Sequence, residues 1–165
     1  MNKTYMTATG IDKLRKTLAA KVAEHAQLCE ERTTAHALSG DGWHDNPYHD
    51  RLQQLEAEKT REITTLTQQL DCARIVVVDP ANRPVNQVRI GSIVSLRIED
   101  EGGNERQCTW EIAGYGETDV PAKRIGYNTP LARALMDEPA GAELSAHMPG
   151  GEVQIFIVAI HRHWP

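Results

Sequence analysis

The sequence is poor in rings. One phenylalanine, three tryptophans and four tyrosines make up 5% of 165 residues, against 40% hydrophobic residues in all, so any core has to be aliphatic. A chain of this length makes one domain or two small ones. Long apolar runs are missing too. The longest, such as Ile155 to Ile160, fall far short of the roughly 20 residues needed to cross a bilayer, and the opening M-N-K-T-Y-M-T has no apolar leader core. A cytoplasmic protein with no membrane role is expected. Cys29, Cys72 and Cys108 are odd in number and show no C-x-x-C spacing. They suggest neither a disulfide framework nor a zinc knuckle, and are expected to be buried, inert thiols. Excess positive charge is also lacking. A net charge of -5 argues against direct coating of DNA, which needs many Lys and Arg against phosphates.

Two long helical patterns occupy the first half. Thr9 is the expected cap of the first, and its stripe recurs as Ile11, Leu14, Leu18, Val22, His25, Cys29, Thr33 and His36. Asn46 followed by Pro47 starts the second, with a stripe of Tyr48, Leu52, Leu55, Lys59, Ile63, Leu66, Leu70 and Ala73. Facing residues of an antiparallel pair have position numbers with a constant sum, because both helices rise by the same amount per residue. The two stripes match at a sum of 88, pairing Leu18 with Leu70, Val22 with Leu66, His25 with Ile63 and Cys29 with Lys59, and folding at His44. An antiparallel two-helix coiled coil roughly 40 to 45 Å long is expected. In it His25 is a packed seam residue, His36 a half-wet one, and Lys59 extends its amine to water over a buried stem.

Between the helices, Leu38 to Asp50 reads L-S-G-D-G-W-H-D-N-P-Y-H-D and crowds carboxylates, histidines and a tryptophan into one tip. Asp41, His44, Asp45 and His49, with His36, suggest zinc less strongly than a polar loop, since no cysteine accompanies them. Lys13, Lys16, Lys21 and Arg32 are read as a solvated face rather than an RNA-binding patch.

After Arg74 the composition changes. Ile75 to Val78 is an expected strand and D-P-A-N-R-P a linker, dividing the chain into 1–78, with its tip loop near 40–46, and 79–165. Strands are expected over Val88–Glu99, Glu105–Ala113 and Ile125–Tyr127. A short helix follows from Thr129-Pro130, then a hairpin of Ala142–Met148 with Val153–His161 around P-G-G. The last strand, apolar on both faces, is expected inside its sheet and covered by the helix. The fold class is α+β.

Several stretches together resemble the Gre factors, bacterial transcript-cleavage factors. They are M-T-x-x-G-x-x-K-L at Met6 to Leu14, the tip residues Gly40, Asp41, Asn46, Tyr48 and His49, V-R-I-G-S-I-V at Val88 to Val94, N-T-P-L-A-R-A-L at Asn128 to Leu135, and P-G-G-E-V at Pro149 to Val153. The resemblance implies an N-terminal coiled coil and a C-terminal FKBP-like domain with one short helix. It implies a factor that is not itself an enzyme and that binds bacterial RNA polymerase at its secondary channel. The C-terminal domain would grip the channel rim, with Asn128, Pro130, Leu131, Pro149 and Gly150 as candidate contacts. The coil would bring its tip to the active site and the nascent RNA 3′ end. There the carboxylates, Asp41 and Asp45 here, would help hold a second Mg²⁺ shared with the polymerase, so that backtracked RNA is cleaved. Two metals stabilise the attacking and leaving oxygens of such a hydrolysis, and Mg²⁺ takes oxygen ligands. No cofactor is expected on the factor alone.

The tip departs from the pattern, which has an acid three residues after the first. His44 stands there and the carboxylate falls at Asp45, with Trp43 between. Trp43, His44, Asn46 and Tyr48 are candidate tip contacts, and an exposed Trp43 ring suits a factor that inhibits or retunes the polymerase through the same route. Two readings from other classes are a structural coiled-coil adaptor and a prolyl isomerase. The second needs a ring-lined pocket that Trp110, Tyr115, Tyr127, Phe156 and Trp164 do not suggest.

Overall fold

The computed structural model describes residues 3–39 and 47–165. The expectations for 40–46 lie outside the described residues. Contacts divide the chain into two compact units, one built on Ile11–Ala73 and the other on Thr4–Gly10 together with Arg74–Pro165. The sequence reading sets its division after residue 78 and gives all of the N-terminus to the first unit.

The first unit pairs α1 (Ala8–Ser39) with α2 (Pro47–Cys72). Its least exposed positions include Ile11, Leu14, Leu18, Lys21, His25, Leu28, Arg32 and Ala35 on α1. On α2 they include His49, Leu52, Glu56, Lys59, Ile63, Leu66 and Leu70. Both series step by alternate threes and fours, the heptad spacing that keeps a seam on one side of each helix. Opposed numbers in the two series add to 84, so Leu18 faces Leu66 and His25 faces Lys59. Side-chain contacts agree with that register to within one residue: Lys21 Nζ lies 3.1 Å from Glu62, Lys59 Nζ 2.7 Å from Glu24, and His25 Nε2 3.1 Å from Thr60 Oγ1. The expected register of 88 is therefore wrong by four residues, about 6 Å or one helical turn. Following hydrophobicity drew the expected stripe onto Val22 and Leu55, which are 48% and 37% exposed, and away from Lys21 and Glu56. Long charged side chains hold those seam positions with their stems, leaving the ends to pair outside. The cap is also corrected. Thr7, not Thr9, accepts the Gly10 N–H at 3.0 Å.

The second unit is a five-stranded sheet of order β5-β4-β3-β7-β6, made of β3 (Ile93–Asp100), β4 (Glu105–Ala113), β5 (Arg124–Gly126), β6 (Glu143–Met148) and β7 (Gly151–His161). Only β4 and β5 run parallel among its pairs. Helix α3 (Pro130–Leu135) starts at Thr129, whose hydroxyl accepts from Ala132 N, with Pro130 in the first turn where its missing N–H costs nothing. Leu131, Ala132 and Leu135 of α3 join Val94, Leu96, Ile98, Ile112, Ile155 and Ile157 of the sheet in one aliphatic core. The expected interior position of β7 is found; the helix shares the core with β7 but lies closest to β6.

Two local expectations change. The strand foreseen from Val88 starts at Ile93, because Arg89–Ser92 closes a turn in which Ser92 Oγ, fully buried, accepts the Arg89 N–H at 2.9 Å. β7 is not apolar on both faces. Val153, Ile155 and Ile157 point inward, whereas Val158 is the extra residue of a bulge: Ser95 opposes Ala159 and Leu96 opposes Ile157. Such an insertion flips the parity of the residues beyond it, which is how an apolar run of this length serves one buried face. A separate pair of short strands joins β1 (Thr4–Met6), not foreseen from the sequence, to β2 (Ala73–Ile75), which ends where the strand expected over Ile75–Val78 would begin. No described helix is long and apolar enough to cross a membrane.

Candidate functional site

The helices are held together on both sides of residues 40–46. The Tyr48 hydroxyl donates to the Glu31 carboxylate across the pair, and that bond pushes the phenol up from its ordinary value, since the neutral form is the donor. The rings of His36 and His49 approach to 6.0 Å between centroids. Leu52 behind them is 3% exposed, and Arg32 Nη1 lies 2.9 Å from Glu56. Of the residues expected to act at the tip, Tyr48 is thus placed: half-exposed and tied to Glu31. Asp41, Trp43, His44, Asp45 and Asn46 lie outside the described residues.

Further along the pair, Lys21, Glu24, Lys59 and Glu62 form a crossed ion network. Lys59 Nζ is 2.7 Å from Glu24 and 3.7 Å from Glu62, and Lys21 Nζ is 3.6 Å and 3.1 Å from the same two. Hydrogen bonding from Lys59 holds Glu24 below the usual carboxylate range, and hydrogen bonding from Lys21 does so for Glu62. Lys59 is raised, chiefly by its bond to Glu24. Two members of the conceivable RNA patch, Lys21 and Arg32, therefore have their charge engaged with carboxylates of the pair, while Lys13 and Lys16 are exposed.

In the second unit the rim candidates divide by what their side chains touch. Pro130, Pro149 and Gly150 are exposed. Leu131 is 8% exposed and belongs to the core, so it is not available as a direct contact. Asn128 Oδ1 accepts the Gly116 N–H at 2.9 Å and so fixes the loop after β4. Pro149 and Gly150 edge a groove of about 400 Å³ between the β3–β4 and β6–β7 turns, floored by Ile98, Met148 and Val153. On its rim Asp100 is held low, first by the backbone N–H of Asn104.

Sequence reasoning missed Glu117. Its carboxylate takes the Thr7 N–H and the Thr7 hydroxyl, each at 2.7 Å, and Arg124 lies 3.7 Å away. A Cβ on Gly10 or Gly114 would collide with this carboxylate, which gives M-T-x-x-G a structural reason; the signal was there in Gly10 without its distant partner. The rings named for an isomerase pocket do not converge among the described residues. Tyr115 meets Tyr127 edge to face at 6.2 Å, and Phe156 lies under Arg97 on the face away from the core.

Residues 83–162 match the family model described as "Transcription elongation factor, GreA/GreB, C-term". The chain is 32% identical over 158 residues to transcription elongation factor GreA of a Nitratiruptor species, covering 94% of this chain and 91% of that protein. It is 30% identical over 159 residues to the GreA of Chloroflexus aurantiacus (strain ATCC 29366 / DSM 635 / J-10-fl), covering 95% and 96%. Among solved structures, GreA factor homolog 1 (Gfh1) of Thermus thermophilus is similar at 22% identity and a TM-score of 0.44, covering 97% of this chain and 99% of that one.

Proposed function

Because the chain belongs to the GreA/GreB family of transcription elongation factors, accessory proteins rather than enzymes, we propose that it binds bacterial RNA polymerase and stimulates cleavage of backtracked RNA. The observation that carries this reading is the full-length kinship with GreA factors. The paired helices, with Asp41 and Asp45 in the stretch that joins them, support it. In this reading the pair enters the secondary channel and presents those carboxylates to the active site and the RNA 3′ end. Their donor set is oxygen, which is what Mg²⁺ takes, so Asp41 and Asp45 would share the polymerase's second ion. When bound, that ion stabilises the charge on the attacking and leaving oxygens of the phosphodiester. The Tyr48–Glu31 bond and the closely spaced His36 and His49 rings keep the two helix ends together. Pro130, Pro149 and Gly150 meet the channel rim, while Leu131 and Asn128 shape the surface that carries them.

A second reading is favoured by Trp43 and His44 in the tip: a factor that enters the same channel and slows nucleotide addition. One experiment separates the two. A stalled, backtracked elongation complex is incubated with the protein and with Asp41→Ala, Asp45→Ala and Trp43→Ala variants. Release of short 3′ RNA by wild type, lost in both Asp variants, is expected. Slowed extension that is relieved only by Trp43→Ala would establish the second reading instead.

A further inference from the structure

On the helical pair, away from residues 40–46, three chemically different donors converge. His25 and Cys29 lie one turn apart on α1, and Glu56 reaches them from α2; one ligand atom from each falls within 4.8 Å of the others. Cys29 Sγ is 3.7 Å from His25 Nδ1. Ligands at 2.0 to 2.3 Å from a common tetrahedral ion stand roughly 3.3 to 3.8 Å apart, so the group needs side-chain shifts on the order of 1 Å to close. The register of 88 hid this cluster by setting Cys29 opposite Lys59; the observed register brings Glu56 to it.

The hydrogen bonds around His25 supply a second, independent observation. Thr60 spends its only hydroxyl proton on the Glu56 carbonyl, at 2.8 Å, so at 3.1 Å from His25 Nε2 it must accept. That places the imidazole proton on Nε2 and leaves Nδ1 unprotonated; Cys29 Sγ is 3.7 Å from Nδ1 and 3.9 Å from Nε2, so the ring has to turn to aim Nδ1 at a shared ion. A histidine whose far nitrogen is anchored by an outer partner is the arrangement found around bound metals. Glu56 adds an oxygen, Oε2, that is shut off from solvent and makes no hydrogen bond, its partner being the Arg32 guanidinium in an ion pair at 2.9 Å. Arg32 competes for that carboxylate and weakens the site without changing its ligands.

We propose that His25 Nδ1, the Cys29 thiolate and a Glu56 carboxylate oxygen form a binding site for a zinc-like divalent cation, joining α1 to α2. The nitrogen, sulfur and oxygen set suits Zn²⁺ or Co²⁺ and does not suit Mg²⁺, which takes oxygen alone. On binding, the metal–sulfur bond replaces the S–H bond and the thiol proton passes to solvent, with no change of oxidation state. Three protein ligands leave one position for water.

The test is titration of the chelator-treated full chain with Co²⁺. One equivalent is expected to produce a thiolate-to-Co²⁺ charge-transfer band and the visible bands of tetrahedral Co²⁺. Cys29→Ser should abolish the charge-transfer band although Cys72 and Cys108 remain, while the Cys72→Ser, Cys108→Ser double variant keeps it. Thr60→Val, which touches no ligand atom, should weaken Co²⁺ binding about 10- to 100-fold, the range for loss of an outer partner. Circular dichroism checks that each variant stays helical. No band at one equivalent, or a band that survives Cys29→Ser in a helical protein, would overturn the site.

Discussion

Thr7 does two jobs with one hydroxyl. It accepts the Gly10 N–H at the start of α1 and donates its proton to Glu117, a residue 110 positions away. Thr7→Val keeps the shape and removes both bonds, so it should cost about 1 to 2 kcal/mol, the usual scale for a lost cap, read as a lower midpoint in thermal or urea unfolding. Thr7→Ser should recover most of that loss. Glu117→Ala is expected to cost at least as much, since it orphans the Thr7 N–H and hydroxyl together and removes an ionic partner of Arg124.

At the level of elements, what was legible in the sequence was local. Thr129-Pro130 marked the start of α3, and the residues of β4 and the P-G-G hairpin were readable because turn chemistry sits beside the strands it joins. Register was not, since it depends on which residues occupy the seam, and here Lys21, Arg32 and Glu56 displace the more hydrophobic Val22 and Leu55. β1, three residues long, carries no period to detect, and the Val158 bulge shows only when strands are paired. The tip residues were named from the sequence alone. Cross-linking tests the register directly. In a background with the three native cysteines changed to serine, Leu18→Cys with Leu66→Cys should oxidise to a disulfide, and Leu18→Cys with Leu70→Cys, displaced by about 6 Å along the helix, should not. The ion network sets a pH window. Glu24 and Glu62 titrate below 4.5 in the folded state, so their contribution is complete above that value and is lost as the pH falls through their lowered values. Lys59 is raised above 10.5, so its contribution is complete below 10.5 and fades only at higher pH. Melting of the helical pair should therefore be flat from about pH 6 to 9 and fall on the acid side, with a smaller drop in a Glu24→Gln, Glu62→Gln variant.

Across the whole molecule, two compact units predict two responses to damage. Leu135 is fully buried in the second unit's core, so Leu135→Ala should cost about 2 to 5 kcal/mol there. Amide exchange should quicken across β3, β7 and α3 while the middle of α1 and α2 keeps its protection; equal acceleration in both would mean that the units unfold as one. The chain also visits the second unit twice, since Thr4–Gly10 belong to it and the helical pair is threaded between them and Arg74. That order has a consequence on the ribosome. The helices are complete once Cys72 has emerged, but β7 lies between β3 and β6, and the sheet cannot close until residues 151–161 have been made. Thr4–Gly10 are thus made well before the sheet they join; β1 can pair with Ala73–Ile75 as soon as those emerge, but Thr7 and the Tyr5 N–H wait for Glu117 and Tyr127, an interval in which the start of α1 lacks its distant anchor.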